Sequence, residues 1–203
     1  MTADLTQGPL QERFQHLLAV ISGQRFLNKQ GLGNEVPFFI CPYKPQEAVA
    51  MQRLQAQLVS NLASQGITVL DINLYDLSVQ ILKDRGIWTQ ILEMEPAVQK
   101  RELLELLQGV LDPEHHLIPA IAARLAENPF DVLFLSGVGE VFPYIRSHNV
   151  LNNLQSTAKD RPTVLFFPGD YSHSLASGAS LDLFGRMHDD RYYRAFNIYH
   201  CEV

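Results

Sequence analysis

Apolar residues recur along the chain in two alternating patterns, short continuous runs and longer stripes at helical spacing. The runs lie at residues 36–40, 67–72, 132–135, 163–167 and 195–199. Short runs that are apolar on both faces are typical of parallel strands buried between helices. With helical stripes between them, the runs predict an α/β fold with a mostly parallel sheet of about five strands and helices on both faces.

The stripes predict the helices that cover this sheet. They lie at about residues 9–22, 51–62, 77–94, 100–111, 117–125 and 141–157, with a short one at 181–187. The second and third predicted strands are joined by more than fifty residues. A connection of that length favours a chain that crosses the sheet, with strand order 2-1-3-4-5 counted along the sequence. We expect a single three-layer Rossmann-like domain over residues 1–203, including the N-terminal helix.

Charge and cysteine content narrow the class of protein. The 203 residues hold 16 Lys and Arg against 22 Asp and Glu, a formal net charge of −6. This balance opposes unaided binding to nucleic acid. The two cysteines, Cys41 and Cys201, are too far apart for a paired zinc motif and too few for a disulfide framework, which favours the cytoplasm. The sequence contains no run long and apolar enough to predict a membrane span or a secretory signal.

Polar and aromatic residues follow the predicted strands, where an open parallel sheet binds its ligands. We therefore predict a cleft or interface at this edge of the sheet. The candidate residues are Tyr43 after the first strand, Asp76 after the second, Gly137, Gly139 and Glu140 after the third, and Asp170, Tyr171 and His173 in a loop after the fourth.

The loop that contains Gly137 and Gly139 joins a predicted strand to a predicted helix. Two glycines there allow backbone amides to approach an anion, which makes Gly137, Gly139 and Glu140 candidates for cofactor binding. Phe142 stands where a dinucleotide motif has its third glycine, and no Lys-Ser or Lys-Thr pair completes a phosphate loop. The alternative is a tight turn, which the sequence favours, and we predict no cofactor.

The titratable residues near this edge leave two interpretations open. Asp170 and His173, with Asp76 or Glu140, would suit an acid/base pair or a divalent metal, but Asp170 also suits a turn. No complete catalytic or metal-binding motif accompanies them, so we assign no catalytic residue and no metal ligand.

The predicted helix that follows the glycines carries three further candidates, Tyr144, Arg146 and His148. His148 fits a buried structural histidine better than a ligand, and Arg146 fits a salt bridge with Glu140 or Asp170. Tyrosine and arginine are also favoured in interface cores. The candidate interface residues are Tyr43, Tyr144, Tyr171, Arg191, Tyr192 and Tyr193, with packing beneath loops as the alternative role of the tyrosines.

Several strings resemble the BrxB family over most of the chain, from about residue 36 onward. They are NLYDL at 73–77, LSGVGEVFPYIRSH at 135–148, LNNL at 151–154, FFPGDY at 166–171 and DDRYYRAF at 189–196. The resemblance implies a small core component of a bacterial BREX bacteriophage-defence system. It also implies partners, because the family is accompanied by an ATPase, a methyltransferase and a PglZ-type protein of the alkaline phosphatase superfamily. It supplies no catalytic residues, and Asp170 stands where the family often has Glu.

Two functions follow as expectations. The first is a non-catalytic adaptor that binds a larger BREX subunit, foremost the PglZ-type protein, without strong direct binding to nucleic acid or membrane. The second is a small nucleotide- or metal-dependent enzyme or sensor that uses the cleft at the carboxyl edge of the sheet.

Overall fold

The computed structural model describes residues 5–30, 37–174, 178–187 and 195–203. Its centre is a sheet with a strand at each of the five predicted runs, although β4 extends well beyond its run and β6 is shorter, and with one strand that was not predicted, β5. The strands are β1 (Phe38–Tyr43), β2 (Val69–Asn73), β3 (Val132–Ser136), β4 (Thr163–Ser174), β5 (Gly178–Leu183) and β6 (Phe196–Asn197). All strand pairs are parallel except the pair of β4 with β5. The predicted α/β class and mostly parallel sheet are confirmed.

Helices cover both faces of the sheet, and the sheet divides the core into two clusters of buried side chains. The helices are α1 (Leu10–Ser22), α2 (Gln24–Leu27), α3 (Ala48–Ser64), α4 (Leu74–Asp84), α5 (Trp88–Met94), α6 (Lys100–Val110), α7 (Ile118–Glu127), α8 (Val138–Val141) and α9 (Ser147–Leu154). Alternate strand residues divide between the faces: Phe134 joins α1–α3, whereas Leu133 joins α4–α9. The architecture is therefore three-layered. No helix in the described ranges is long and apolar enough to cross a membrane.

The predicted strand order 2-1-3-4-5 is wrong. The observed order is β2-β3-β4-β1-β6, with β5 paired to β4. The single helix α3 carries the chain from β1 past the positions of β4 and β3 to β2. At 1.5 Å per residue, its 17 residues span about 26 Å, enough to pass two strands spaced about 4.8 Å apart. The much longer connection through α4–α7 joins the neighbours β2 and β3, because its residues build a helical layer instead of crossing the sheet.

Two predicted helices are also wrong in detail. The predicted helix at 141–157 is divided into α8 and α9, with Pro143 between them, where a proline cannot continue the backbone hydrogen bonds of a helix. The predicted helix at 181–187 does not form: residues 181–183 belong to β5, and residues 184–187 form the turn that follows it. In β5, Leu181 and Leu183 point into the core while Ser180 and Asp182 are less buried, the period-two alternation of a strand.

Candidate functional site

A cleft opens at the carboxyl edge of the sheet, between the ends of β1–β3 and the helices α3 and α4. Its volume is about 570 Å³, within the range of ligand sites in proteins. Its polar and charged lining residues are Tyr43, Gln52, Gln55, Asp71, Asn73, Asp76, Gln80, Arg124, Ser136 and Glu140.

This cleft brings together four of the candidates from three different strand ends. Tyr43 is the last residue of β1, and Asp76 lies in the first turn of α4. Gly137 precedes α8, whose first turn contains Glu140. All four line the same cavity. Gly139 is not among its lining residues.

The two glycines have local packing reasons for their positions. Gly137 has φ +77°, and a Cβ atom there would lie 2.5 Å from Asn73 Oδ1. That same oxygen caps α4 by accepting hydrogen bonds from the amides of Tyr75 at 2.8 Å and Asp76 at 3.2 Å. A Cβ atom on Gly139 would lie 3.0 Å from the ring of Phe184. Because α8 has only four residues and places Glu140 in its first turn, the loop offers little to an anion.

The charges of the lining favour a cationic group. Asp71, Asp76 and Glu140 contribute three carboxylates, and Arg124 contributes one guanidinium. Partial burial raises the pKa of Asp71, while the hydrogen bond that Gln55 Nε2 donates to its Oδ1 at 2.7 Å opposes the rise. A phosphate in this cleft would meet like charges, whereas an ammonium or guanidinium group would meet acceptors.

Tyr43 adds a phenol that stays protonated at neutral pH. Burial, and to a smaller extent the nearby Cys41 and Glu140, raise the pKa of Tyr43 to about 12. Its hydroxyl can therefore donate as well as accept a hydrogen bond. Within the described residues, no group of three or more His, Cys, Asp or Glu side chains is arranged to hold a metal ion.

A second concavity, the helical groove, adjoins the cleft on the other side of α4. It has a volume of about 190 Å³ and lies between α4, α5 and α6. It is lined by Tyr75, Ser78, Val79, Leu82, Trp88, Ile91, Leu92, Glu95, Leu103, Leu107, Leu111 and Tyr144. Tyr144 is half-buried and its hydroxyl donates to the backbone oxygen of Glu140 at 3.4 Å. The candidate Tyr144 therefore lies beside the cleft but lines the helical groove.

The candidates after the fourth strand lie apart from the cleft. Asp170, Tyr171 and His173 belong to β4, which continues beyond the parallel sheet and pairs with β5 as an antiparallel ribbon. The prediction that these residues form a loop is wrong. The strand continues because glycine at position 169 lets β5 approach closely: a Cβ atom there would lie 2.1 Å from the backbone oxygen of Asp182. Asp170 is exposed, and the Tyr171 hydroxyl donates to the backbone oxygen of Ala195 at 2.5 Å. Neither Asp170 nor Tyr171 lines the cleft, and the side chain of His173 lies outside what the structure describes.

The remaining candidates are placed elsewhere or not described. His148 is buried on α9, and Arg146 is exposed immediately before that helix. Neither residue lines the cleft or the helical groove. Arg191, Tyr192 and Tyr193 lie outside the described residues.

Sequence reasoning missed several residues that shape this edge. Asp71 is the single charged residue within the apolar run 67–72, which is the signal that would have marked it. Gln55 lies among the apolar stripe of α3 and is itself buried. Arg124 carries no such signal, because a charged residue on an amphipathic helix is ordinarily solvated.

The chain is similar to proteins of one family over most of its length. A family model described as BREX protein BrxB matches residues 70–198. A BREX protein BrxB from Bacillus cereus (strain H3081.97) is 33% identical over 193 residues, which cover 93% of this chain and 97% of the relative. A BREX protein BrxB from Escherichia coli O9:H4 (strain HS) is 26% identical over 189 residues, covering 93% and 91%. No solved structure matches this chain significantly.

Proposed function

Since the chain belongs to the BrxB family and is thus a component of a BREX phage-defence system, we propose that it acts as a non-catalytic adaptor in the cytoplasm. In this role it binds a larger BREX subunit, foremost the PglZ-type protein. The acidic net charge of −6 supports an indirect role, because contact with DNA would then be made by the partner.

The observation that carries this proposal is a set of exposed apolar side chains around the helical groove. Tyr75, which is 41% exposed, and Leu92, which is 46% exposed, line the groove; Met94, which is 43% exposed, follows Leu92 in α5. Scattered exposed apolar residues are normal on a protein surface, but several around one concavity are typical of an interaction site. Aromatic residues and methionine are also enriched in interface cores.

Co-purification from the native operon tests the adaptor role directly. The tagged chain, expressed with its operon, is expected to elute in size exclusion as a stoichiometric complex with another BREX subunit, foremost the PglZ-type protein. A chain that elutes free of every other BREX component at about micromolar concentration, where standard interfaces persist, would contradict the proposal.

A second candidate function has one observation in its favour, the cleft of about 570 Å³ at the edge where α/β sheets bind ligands. It is a small nucleotide- or metal-dependent enzyme or sensor. A ligand at 100 times its Kd would stabilise the folded chain by about 2.7 kcal/mol, which thermal unfolding detects readily. Unchanged unfolding with ATP, GTP, Mg²⁺ and Mn²⁺ would remove this candidate.

A further inference from the structure

Helix α6 packs on the domain incompletely. Its apolar residues Leu103, Leu106, Leu107 and Val110 contact the core cluster but remain only partly buried. No residue of α6 is fully buried. Stable surface helices bury their apolar stripe, so the side chains of α6 retain apolar area that another chain can cover.

The walls of the helical groove determine what kind of chain fits it. They are formed by side chains of α4, α5 and α6, whose backbone groups are paired within the helices. A strand added here would find no sheet edge to pair with. An amphipathic helix needs no such edge, because it binds through apolar side chains at i, i+3 or i+4, and i+7.

Charge at one end of the groove indicates the chemistry of that helix. Tyr75 and Tyr144 line the groove, whereas Asp76 and Glu140, their near neighbours in the chain, line the cleft. Besides burial and Tyr75, the Glu140 carboxylate is close enough to the Tyr144 phenol to raise its pKa, and Asp76 follows Tyr75 in the first turn of α4, so this end of the groove lies on the acidic side of the molecule's two concavities. Glu95 is the only charged side chain among the described residues that line the groove itself. A lysine or arginine on the bound helix would find acceptors at this end and no basic residue along the groove lining.

We propose that the helical groove docks an amphipathic helix of a larger BREX subunit, with a lysine or arginine at one end of that helix reaching Asp76 and Glu140. The apolar side chains of the helix lie against Leu92, Leu103 and Leu107. The proposal rests on the adaptor function and specifies the partner segment that the adaptor binds.

Site-specific crosslinking tests which segment occupies the groove. A photoreactive benzoyl-phenylalanine replaces Leu92 in the tagged chain, which is expressed with its operon, irradiated and digested for peptide mapping. The same residue at Ala63 provides the control, since Ala63 is exposed on α3, on the other side of the sheet. The expected crosslink from position 92 joins a partner segment with helical apolar spacing and a lysine or arginine within one turn of its end.

Two variants of the purified complex test the contacts separately. L92E places a charge in the groove at a position that is 46% exposed in the free chain, so folding should persist, and we expect the Kd to rise at least about tenfold. D76N/E140Q removes two carboxylates without adding bulk. It should lower the association rate at low salt and reduce the dependence of that rate on salt. A63E should bind like the wild type.

The outcomes separate this proposal from the adaptor function. If a BREX complex forms but L92E binds like the wild type, or position 92 crosslinks to a second copy of this chain or to a non-helical segment, the groove proposal is wrong and the adaptor function stands. If no BREX complex forms, both are overturned.

Discussion

The side chain of Arg13 is completely buried on a helix that sequence reasoning treated as simply amphipathic. Its guanidinium donates to Glu47 Oε2 at 2.8 Å and to the Tyr199 hydroxyl at 3.1 Å. Arg13 follows Leu10 by three positions and precedes Leu17 by four, so it lies on the buried face of α1. This spacing is the feature of the sequence that could have predicted the burial of Arg13. The network ties α1 to the start of α3 and to the end of the described chain.

Removing the carboxylate should leave the buried guanidinium uncompensated. We expect Glu47→Ala to lower the free energy of unfolding by about 3 kcal/mol. This value is near the lower end of the losses measured when buried ion pairs are broken, because the Glu47 side chain is 29% exposed. Urea denaturation at pH 7 measures the change. Glu105→Ala is the control, since it breaks the exposed pair with Arg101 and should cost less than about 0.5 kcal/mol. Equal losses in the two variants would contradict this role of Arg13.

Cys41 belongs to the same network and predicts how stability changes with pH. Burial raises the pKa of Cys41 from its ordinary value of 9.0 to about 11, although Tyr199 and Arg13 act in the opposite direction. The folded chain therefore keeps a thiol proton that the unfolded chain releases. Its contribution is fully present below pH 9 and is lost as the pH rises toward about 11, by up to about 1.4 kcal/mol per pH unit.

Urea denaturation between pH 8 and 10 tests this linkage, because buried tyrosines contribute mainly at higher pH. Burial also raises the pKa of Cys201 to about 11, but its contribution is the same in the wild type and in a Cys41 variant. Wild type should lose stability over that range, and Cys41→Ala should show a shallower decline from a different starting value. Parallel pH profiles for the two proteins would mean that the thiol does not carry the effect.

At the scale of elements, the turn between β3 and α8 depends on glycine at one position. Gly137→Ala should destabilise the chain by about 1–3 kcal/mol, because its φ of +77° disfavours a side chain and Asn73 occupies the space of the new methyl group. Gly109→Ala is the matched control: it lies in α6, with no atom within 4 Å of the added Cβ, and should stabilise by about 0.5–1 kcal/mol. Thermal unfolding compares the two. A loss of stability in Gly109→Ala, or no loss in Gly137→Ala, would contradict the requirement for glycine at position 137.

Elements with long periodic patterns could be predicted from sequence, whereas those that depend on distant partners could not. The stripe of α3 and the apolar run of β3 are local signals, and both elements form where they predict. The ribbon of β4 and β5 depends on a cross-strand approach at Gly169, which in the sequence follows Pro168 and indicates a turn. The sequence feature that indicates β5 is the alternation of apolar and polar residues around Leu181 and Leu183, and this alternation is too short to exclude a helix.

For the molecule as a whole, the three layers and the position of the cleft at the carboxyl edge of the sheet could be predicted from the sequence, but the strand order could not. The length of the segment that connects two strands does not determine how many other strands it passes. The connection through α3 passes two strands, whereas the longer connection through α4–α7 passes none. The cleft nevertheless gathers Tyr43, Asp76 and Glu140, because carboxyl ends of parallel strands share one edge in any order. The helical groove could not be foreseen, since it depends on how incompletely α5 and α6 cover α4.

An adaptor must bind its larger BREX subunit without help from other proteins, and a titration of the two purified proteins measures that binding. Isothermal calorimetry of the chain against the PglZ-type subunit should give saturable binding with a Kd of about 1 µM or below, as expected for an interface of standard size. The absence of binding at about 100 µM of each protein would contradict the adaptor function for this partner.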